Sequence, residues 1–349
     1  MTAPSEQTAP FEQVRFERRG ALGLVVLDRP KAINSLTIDM IRAMHEQLSA
    51  WQDDDSVAVV AITGAGEKGL CAGGDVVAMR DHVLGPPAEK AEAVSFWADE
   101  YVLDGLIGAY PKPVVAVMDG VTMGGGIGIA GHADLRIATE RSKIAMPETK
   151  IGFFPDVGGL HLLARAPGEL GTHMAMTGAV VTGADAVLVG IADVLVESSR
   201  IPEILSALES GTVPAPEDIG STSHPAPLED ERVWIDACCT GDDAAAIHER
   251  LRTYDGERAE QAHEAADAMA ARSPFSVSVT LEAIRRAGRL DSLDAVLAQD
   301  TVLSRAFADE PDFREGVRAL LVDKDNAPAW RHDSLADVPR AEVEAAFNA

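Results

Sequence analysis

The chain of 349 residues is poor in cysteine, aromatic residues and basic residues. Its three cysteines are odd in number and two of them are adjacent, so the sequence predicts neither a disulfide framework nor a metal site. Lysines and arginines number 30 against 56 aspartates and glutamates. The resulting net charge of -26 argues against nucleic acid as a partner, because basic side chains must neutralise its phosphates.

No stretch has the apolar length that crosses a bilayer, and the N-terminal residues lack the pattern of an export signal. We therefore expect a cytoplasmic protein without a membrane partner.

Short apolar runs and helical patterns alternate in the first half of the chain, which predicts an α/β fold. Helices are predicted after Ser35, where a Ser/Thr start precedes apolar residues at helical spacing, and within 88–108. β-branched and apolar residues predict buried strands at 14–18, 21–28, 57–63 and 113–118.

The second half has no strand pattern after about residue 200. The stretch 210–230 is dense in Pro, Gly, Ser, Thr and acidic residues, which suits a surface connection. Beyond it the sequence is helical, and Ser273 with the proline after it forms a helix start. We therefore divide the chain into a core at 12–205, a connection at 206–230 and a C-terminal helical region at 231–349.

Two glycine-rich turns follow predicted strands: "TGAGEKGLCAGGDV" and "DGVTMGGGIGIAGHADL". Glycine lets a ligand approach backbone N–H groups closely, and two converging N–H groups stabilise a carbonyl oxygen that becomes an oxyanion. The second turn also contains "GIGIAG", a formal match to the dinucleotide-binding pattern. The strand predicted at Asp134 leaves too little room for the crossover helix of such a site. A nucleotide cofactor is therefore not favoured.

Two acids, Glu148 and Asp156, lie in the otherwise apolar stretch "AMPETKIGFFPDVGGLHLL". A carboxylate buried there carries a desolvation cost unless it is hydrogen-bonded or used in chemistry. Each also has a structural reading, since Glu148 could cap a turn and Asp156 could cap the following helix.

The segments "RPKAINSL", "CAGGDV", "PKPVVAVMDGVTMGGGIGIAGHADLRIAT" and "MPETKIGFFPDVGG", in this order, resemble the crotonase superfamily (enoyl-CoA hydratase/isomerase fold). The resemblance runs from about residue 12 to the end and is strongest to the 3-hydroxyisobutyryl-CoA hydrolase branch. It implies a crotonase-like spiral of strand-strand-helix repeats with a C-terminal helical region. It also implies an acyl-CoA substrate, no cofactor other than the CoA of that substrate, and a homo-oligomer, a trimer or a pair of trimers.

The resemblance assigns roles to particular residues. Gly74 and Gly125 match the oxyanion-hole positions, Glu148 and Asp156 match catalytic positions, and Glu100 matches a substrate-binding position. Hydratases of the superfamily carry a further glutamate in the helix after the glycine triplet, at a position where this chain has glycine. At the position of Asp156, hydratases usually carry glycine. The implied reaction is the hydrolysis of a short-chain hydroxyacyl-CoA thioester, with 3-hydroxyisobutyryl-CoA of valine catabolism as the expected substrate. Glu148 would attack the thioester or activate water.

Two other functions are compatible with these residues. An enoyl-CoA hydratase or isomerase would share the oxyanion cradle but would need a replacement for the missing glutamate. A protein that only binds acyl-CoA would keep the fold without the chemistry.

Overall fold

The computed structural model describes residues 13–220, 222 and 224–348. The N-terminal boundary predicted at residue 12 lies just outside the described residues. The strands are β1 (Val14–Arg19), β2 (Leu22–Leu27), β3 (Val59–Gly64), β4 (Gly69–Cys71), β5 (Val114–Met118), β6 (Val121–Met123), β7 (Leu135–Thr139), β8 (Lys143–Ala145), β9 (Val181–Thr182) and β10 (Val194–Val196). The predicted strands at 14–18, 21–28, 57–63 and 113–118 are therefore confirmed.

The strands form two sheets. The larger sheet has the order β1-β2-β3-β5-β7-β10 and is parallel except for the antiparallel pair β1 and β2. The smaller sheet has the order β4-β6-β8-β9 and is parallel except for β8 and β9. The chain passes from the larger sheet to the smaller one three times, as β3-β4, β5-β6 and β7-β8, and returns each time. This repetition is the predicted strand-strand-helix spiral.

The helices surround and extend the two sheets. They are α1 (Ile38–Gln52), α2 (Val76–Leu84), α3 (Pro87–Gly108), α4 (Gly125–Gly131), α5 (Gly159–Leu163), α6 (Leu170–Thr177), α7 (Gly183–Leu188), α8 (Ile201–Leu208), α9 (Pro216–Ile219), α10 (Pro227–Cys238), α11 (Ala244–Thr253), α12 (Ala259–Ala270), α13 (Pro274–Ala287), α14 (Leu293–Asp309), α15 (Pro311–Val317) and α16 (Arg340–Ala346). The helices predicted after Ser35 and within 88–108 are α1 and α3. No helix in the described part of the chain is long and apolar enough to cross a membrane.

Both faces of the larger sheet are buried. One face packs on α8 and α9, and the other belongs to the main core that the remaining helices complete. Strands covered on both faces read as continuous apolar runs, as β2 and β5 do, because neither face meets water.

The region after β10 is helical, as predicted. The Ser273 hydroxyl accepts the N–H of Ser276 and so caps α13. α14 packs along α3, so a C-terminal helix directly supports a helix of the core. The predicted connection is less open than expected, since it contains the end of α8, all of α9 and the first turn of α10.

The second glycine-rich segment is a strand followed by a helix rather than one long turn. β6 ends at Met123, Gly124 turns the chain with a φ of 51°, and α4 begins at Gly125. The "GIGIAG" pattern thus lies inside a helix, whereas a dinucleotide site needs its glycines in the turn before the helix. The prediction of a loop there is wrong, and the argument against a dinucleotide site is strengthened.

Candidate active site

A cavity of about 250 Å³ lies between the two glycine-rich segments and α3. Gly74, Gly125, Glu148, Asp156 and Glu100 all line it. The five residues selected from the sequence are therefore brought together in one place, although they come from four separate segments.

Two residues that line the cavity, Gly74 and Gly125, have backbone amides without an acceptor among the described residues. Leu36 donates its N–H to the Gly73 carbonyl (2.9 Å) and accepts the N–H of Asp75 (2.8 Å), which fixes the backbone around Gly74. Gly125 is the first residue of α4, so its N–H has no acceptor within the helix. Neither the Gly74 nor the Gly125 N–H donates to another described residue. The pair has the composition of an oxyanion hole.

Glu148 opens a 3₁₀ turn, Glu148–Ile151, directly after β8. Its side chain is 6% exposed, and Oε2 has no hydrogen-bond partner among the described residues. A side-chain carbon at Gly124 would lie 2.8 Å from Oε1 of Glu148. The absence of a side chain at Gly124 therefore leaves room for this carboxyl group.

Asp156 faces the cavity because the backbone after it turns sharply. Val157 and Gly158 have φ of 52° and 69°, and for a β-branched residue such as valine this conformation is strained. Oδ2 of Asp156 accepts a 2.8 Å hydrogen bond from the Tyr101 hydroxyl. Gly158 is the N-cap of α5, and its N–H donates to the side chain of Asp300 rather than to that of Asp156. The structural reading of Asp156 as a helix cap is therefore wrong.

Glu100 reaches the cavity from α3 and is 3% exposed. Its Oε1 has no hydrogen-bond partner among the described residues. A side-chain carbon at Gly125 would collide with Oε1, so the glycine that supplies the amide also makes room for this acid.

Burial dominates the protonation of the three acids. Desolvation raises the pKa of Asp156 to about 7, against the opposing effect of the Tyr101 hydrogen bond. Desolvation and the charge of Asp156 raise the pKa of Glu148 and of Glu100 well above the usual range. Lys150 opposes the shift at Glu148. A charged Asp156 is one cause of the raised pKa of Glu148, so a proton held by Asp156 favours the carboxylate form of Glu148. Asp156 can therefore serve as the acid while Glu148 serves as the base.

Several residues at or beside the cavity are not indicated by the sequence. Tyr101 follows Glu100 directly, but nothing in "ADEYVLDG" indicates which way its hydroxyl points. Trp97 and Phe153 stack with ring centroids 5.0 Å apart in the cavity wall, and Phe313 of α15 packs beside both. Only tertiary packing brings α15 to the cavity, so no local signal announces its contribution.

Comparisons with known proteins show the family of the chain. Residues 22–347 match the model of the enoyl-CoA hydratase/isomerase family. The chain belongs to this family. The match spans both the spiral core and the C-terminal helices.

Curated relatives in this family share the length of the chain. A mitochondrial 3-hydroxyisobutyryl-CoA hydrolase of Danio rerio is 38% identical over 96% of this chain and 89% of its own length. The Homo sapiens protein of the same name is 36% identical over 98% of this chain and 90% of its own length.

Solved structures of the family share the fold. A carnitinyl-CoA dehydratase of Mycobacterium thermoresistibile superposes with a TM-score of 0.90 at 49% identity, covering 96% of each chain. An enoyl-CoA hydratase of Rhodobacter sphaeroides has the same TM-score at 35% identity, covering 96% of this chain and 97% of its own.

Proposed function

We propose that the protein hydrolyses a short-chain hydroxyacyl-CoA thioester, and that its substrate is 3-hydroxyisobutyryl-CoA, which is cleaved to 3-hydroxyisobutyrate and CoA. The observation that carries the proposal is the meeting of Glu148 and Asp156 with the free amides of Gly74 and Gly125 in one small cavity. The names of the curated relatives support the same substrate. The expectation from the sequence that the reaction belongs to valine catabolism stays a proposal.

In the proposed reaction, the thioester carbonyl oxygen accepts hydrogen bonds from the Gly74 and Gly125 amides. Negative charge develops on that oxygen as the carbonyl carbon is attacked, and the amides stabilise it. Glu148 supplies the electron pair, either by attacking the carbon to form a mixed anhydride or by removing a proton from water. Turnover in ¹⁸O-labelled water tests the first route, because attack of water on the glutamyl carbonyl of the anhydride leaves ¹⁸O in Glu148, whereas the general-base route places ¹⁸O only in the product acid.

Asp156 lies on the same cavity as Glu148 and can protonate the departing thiolate or hold the 3-hydroxyl group of the substrate. Glu100 would contact the acyl group as well. Water supplies the second oxygen of the product acid, so the reaction needs no cofactor beyond the CoA of the substrate.

A hydratase is the second candidate, because two solved structures that superpose with a TM-score of 0.90 carry dehydratase and hydratase names. Against it, Gly128 provides no acid in α4. A side-chain carbon there would lie 2.7 Å from Asp104, a residue that does not line the cavity.

The deciding experiment incubates the protein with 3-hydroxyisobutyryl-CoA and with crotonyl-CoA. Thiol release from the first substrate is expected, with no loss of the enoyl absorbance of the second. Loss of the enoyl absorbance without thiol release would favour the hydratase, and inertness toward both would favour a binding protein.

The assembly and the location of the protein stay predictions. Gel filtration with light scattering tests the expected trimer or pair of trimers. The cytoplasmic location was expected from the sequence, whereas the names of the curated relatives include the word mitochondrial. Fractionation of the source cells tests this point.

A further inference from the structure

Two further carboxyl groups lie behind those that line the cavity, and both are completely buried: Asp104 on α3 and Asp300 on α14. Asp300 has a partner, since its Oδ2 accepts the N–H of Gly158 at 2.9 Å. Neither oxygen of Asp104 has a hydrogen-bond partner among the described residues. A buried carboxyl group without a donor is expensive unless it is protonated or serves a function.

The position of Asp104 is built into the contact between α3 and α4. Glu100 and Asp104 are four residues apart and share one face of α3. They face two glycines of α4, Gly125 and Gly128 respectively. A side-chain carbon at Gly128 would lie 2.7 and 2.8 Å from the two carboxyl oxygens of Asp104. The missing side chain at Gly128 therefore makes the space that Asp104 occupies.

The ionisable groups that face Asp104 are all carboxyl groups. They are Glu100 on the same helix, Asp156 from the loop before α5, and Asp300 from α14, and α4 carries no ionisable residue. Burial and these three charges raise the pKa of Asp104 well above its usual range. Because Asp104 is completely buried and no described residue donates to it, a charged carboxylate there would be uncompensated, and we expect the neutral acid with one O–H to donate. The ionisable groups around it offer carboxyl oxygens as acceptors.

We propose that Asp104 is a positioning residue: its carboxylic O–H donates to the Glu100 and Asp156 carboxyl pair and holds that pair in place behind the reacting thioester. Only the kinetic test of this inference rests on the proposed hydrolysis. No bond to the substrate is made by Asp104, and no proton needs to leave it during turnover.

The kinetic test compares Asp104→Asn, Asp104→Leu and the control Asp99→Asn, an acid on α3 that instead pairs with Arg42. The amide of Asp104→Asn still donates, so its activity and pH profile are expected to stay close to those of the wild-type protein. Asp104→Leu removes the donor, which is expected to lower kcat about tenfold or more and to move the ionisation near neutrality to higher pH. If the ionisation near neutrality moves to lower pH in Asp104→Asn, the substitution has removed a negative charge, and the proposal is overturned. An unchanged Asp104→Leu would overturn it as well.

An infrared measurement tests the same point without any turnover. At neutral pH the wild-type protein is expected to show a carbonyl band of a protonated carboxylic acid that Asp104→Asn lacks and Asp99→Asn keeps. The band distinguishes a failure of this proposal from a failure of the proposed hydrolysis. It tests whether Asp104 carries a proton even if Asp104→Leu does not fold. Identical bands in the wild-type protein and Asp104→Asn would overturn the proposal.

Discussion

The hydroxyl group of Tyr101 donates a 2.8 Å hydrogen bond to Oδ2 of Asp156, and both side chains are buried. The bond stabilises the charged form of Asp156, whereas burial stabilises the neutral form, and burial is the larger effect. The resulting pKa of about 7 lets Asp156 exchange a proton in the physiological range.

Replacing Tyr101 with Phe is expected to raise the pKa of Asp156 above about 7, because the variant loses the bond that favours the carboxylate. The pH dependence of thiol release measures the shift. Tyr110→Phe is the matched control, since it removes another buried hydroxyl, one that donates to the Leu48 carbonyl. An equal shift of the pH dependence of thiol release in Tyr101→Phe and Tyr110→Phe would contradict the prediction.

Asp156→Asn is expected to be more stable than the wild-type protein at alkaline pH. The pKa of Asp156 rises from 3.8 to about 7 on folding, so between these values the native state binds more protons than the unfolded state. Stability linked to Asp156 therefore falls as pH rises from about 4 to about 7 and then stays low. The difference in thermal midpoint between variant and wild type should be small near pH 4, grow to about pH 7 and then level off. A difference that does not depend on pH would refute this account.

Gly128→Ala is expected to destabilise the fold by about 1–3 kcal/mol, as overpacking does in a close-packed interior. The added carbon would lie 2.8 Å from Cβ of Val157 as well as against Asp104. Urea denaturation measures the loss. Gly105→Ala on α3 is the control, because its added carbon would make an ordinary 3.4 Å contact with Leu297. Equal stability of the two variants would contradict the packing described for α4.

Trp97→Leu is expected to widen the range of acyl groups that are accepted. Trp97 is 2% exposed and forms part of the wall of the cavity of about 250 Å³. Each additional methylene group that the enlarged cavity buries contributes about 0.8 kcal/mol of binding. The ratio of kcat/KM for longer and shorter acyl-CoA substrates should therefore rise. Trp234→Leu, a buried tryptophan outside this cavity, should leave the ratio unchanged.

The sequence predicted the elements with strong local patterns and missed those set by tertiary contacts. The fully apolar β2 and the face of α1 capped by Thr37 follow from burial and capping alone. The five site residues were found through motifs, which mark positions but not neighbours. The partnership of Asp156 with Tyr101 depends on how α3 lies against the loop before α5. No pattern in the sequence carries that information.

The helical glycines show the same limit. A run of glycines after a strand suggested a loop, because glycine is a poor helix former. α4 forms nonetheless, since Gly124, Gly125 and Gly128 leave space for Glu148, Glu100 and Asp104. The low intrinsic propensity of the helix is opposed by burial, since the whole of α4 is buried and Ile127 and Ile129 belong to the main core.

The rate of thiol release from 3-hydroxyisobutyryl-CoA by Glu148→Gln tests the central claim most directly. Glutamine keeps the shape of the side chain but can neither attack the thioester nor take a proton from water. The account predicts a loss of kcat of about 10²–10⁴-fold. Glu140→Gln, which changes an exposed acid that accepts the Ser198 N–H, should keep full activity. A Glu148→Gln variant that retains a rate close to that of Glu140→Gln would contradict the account.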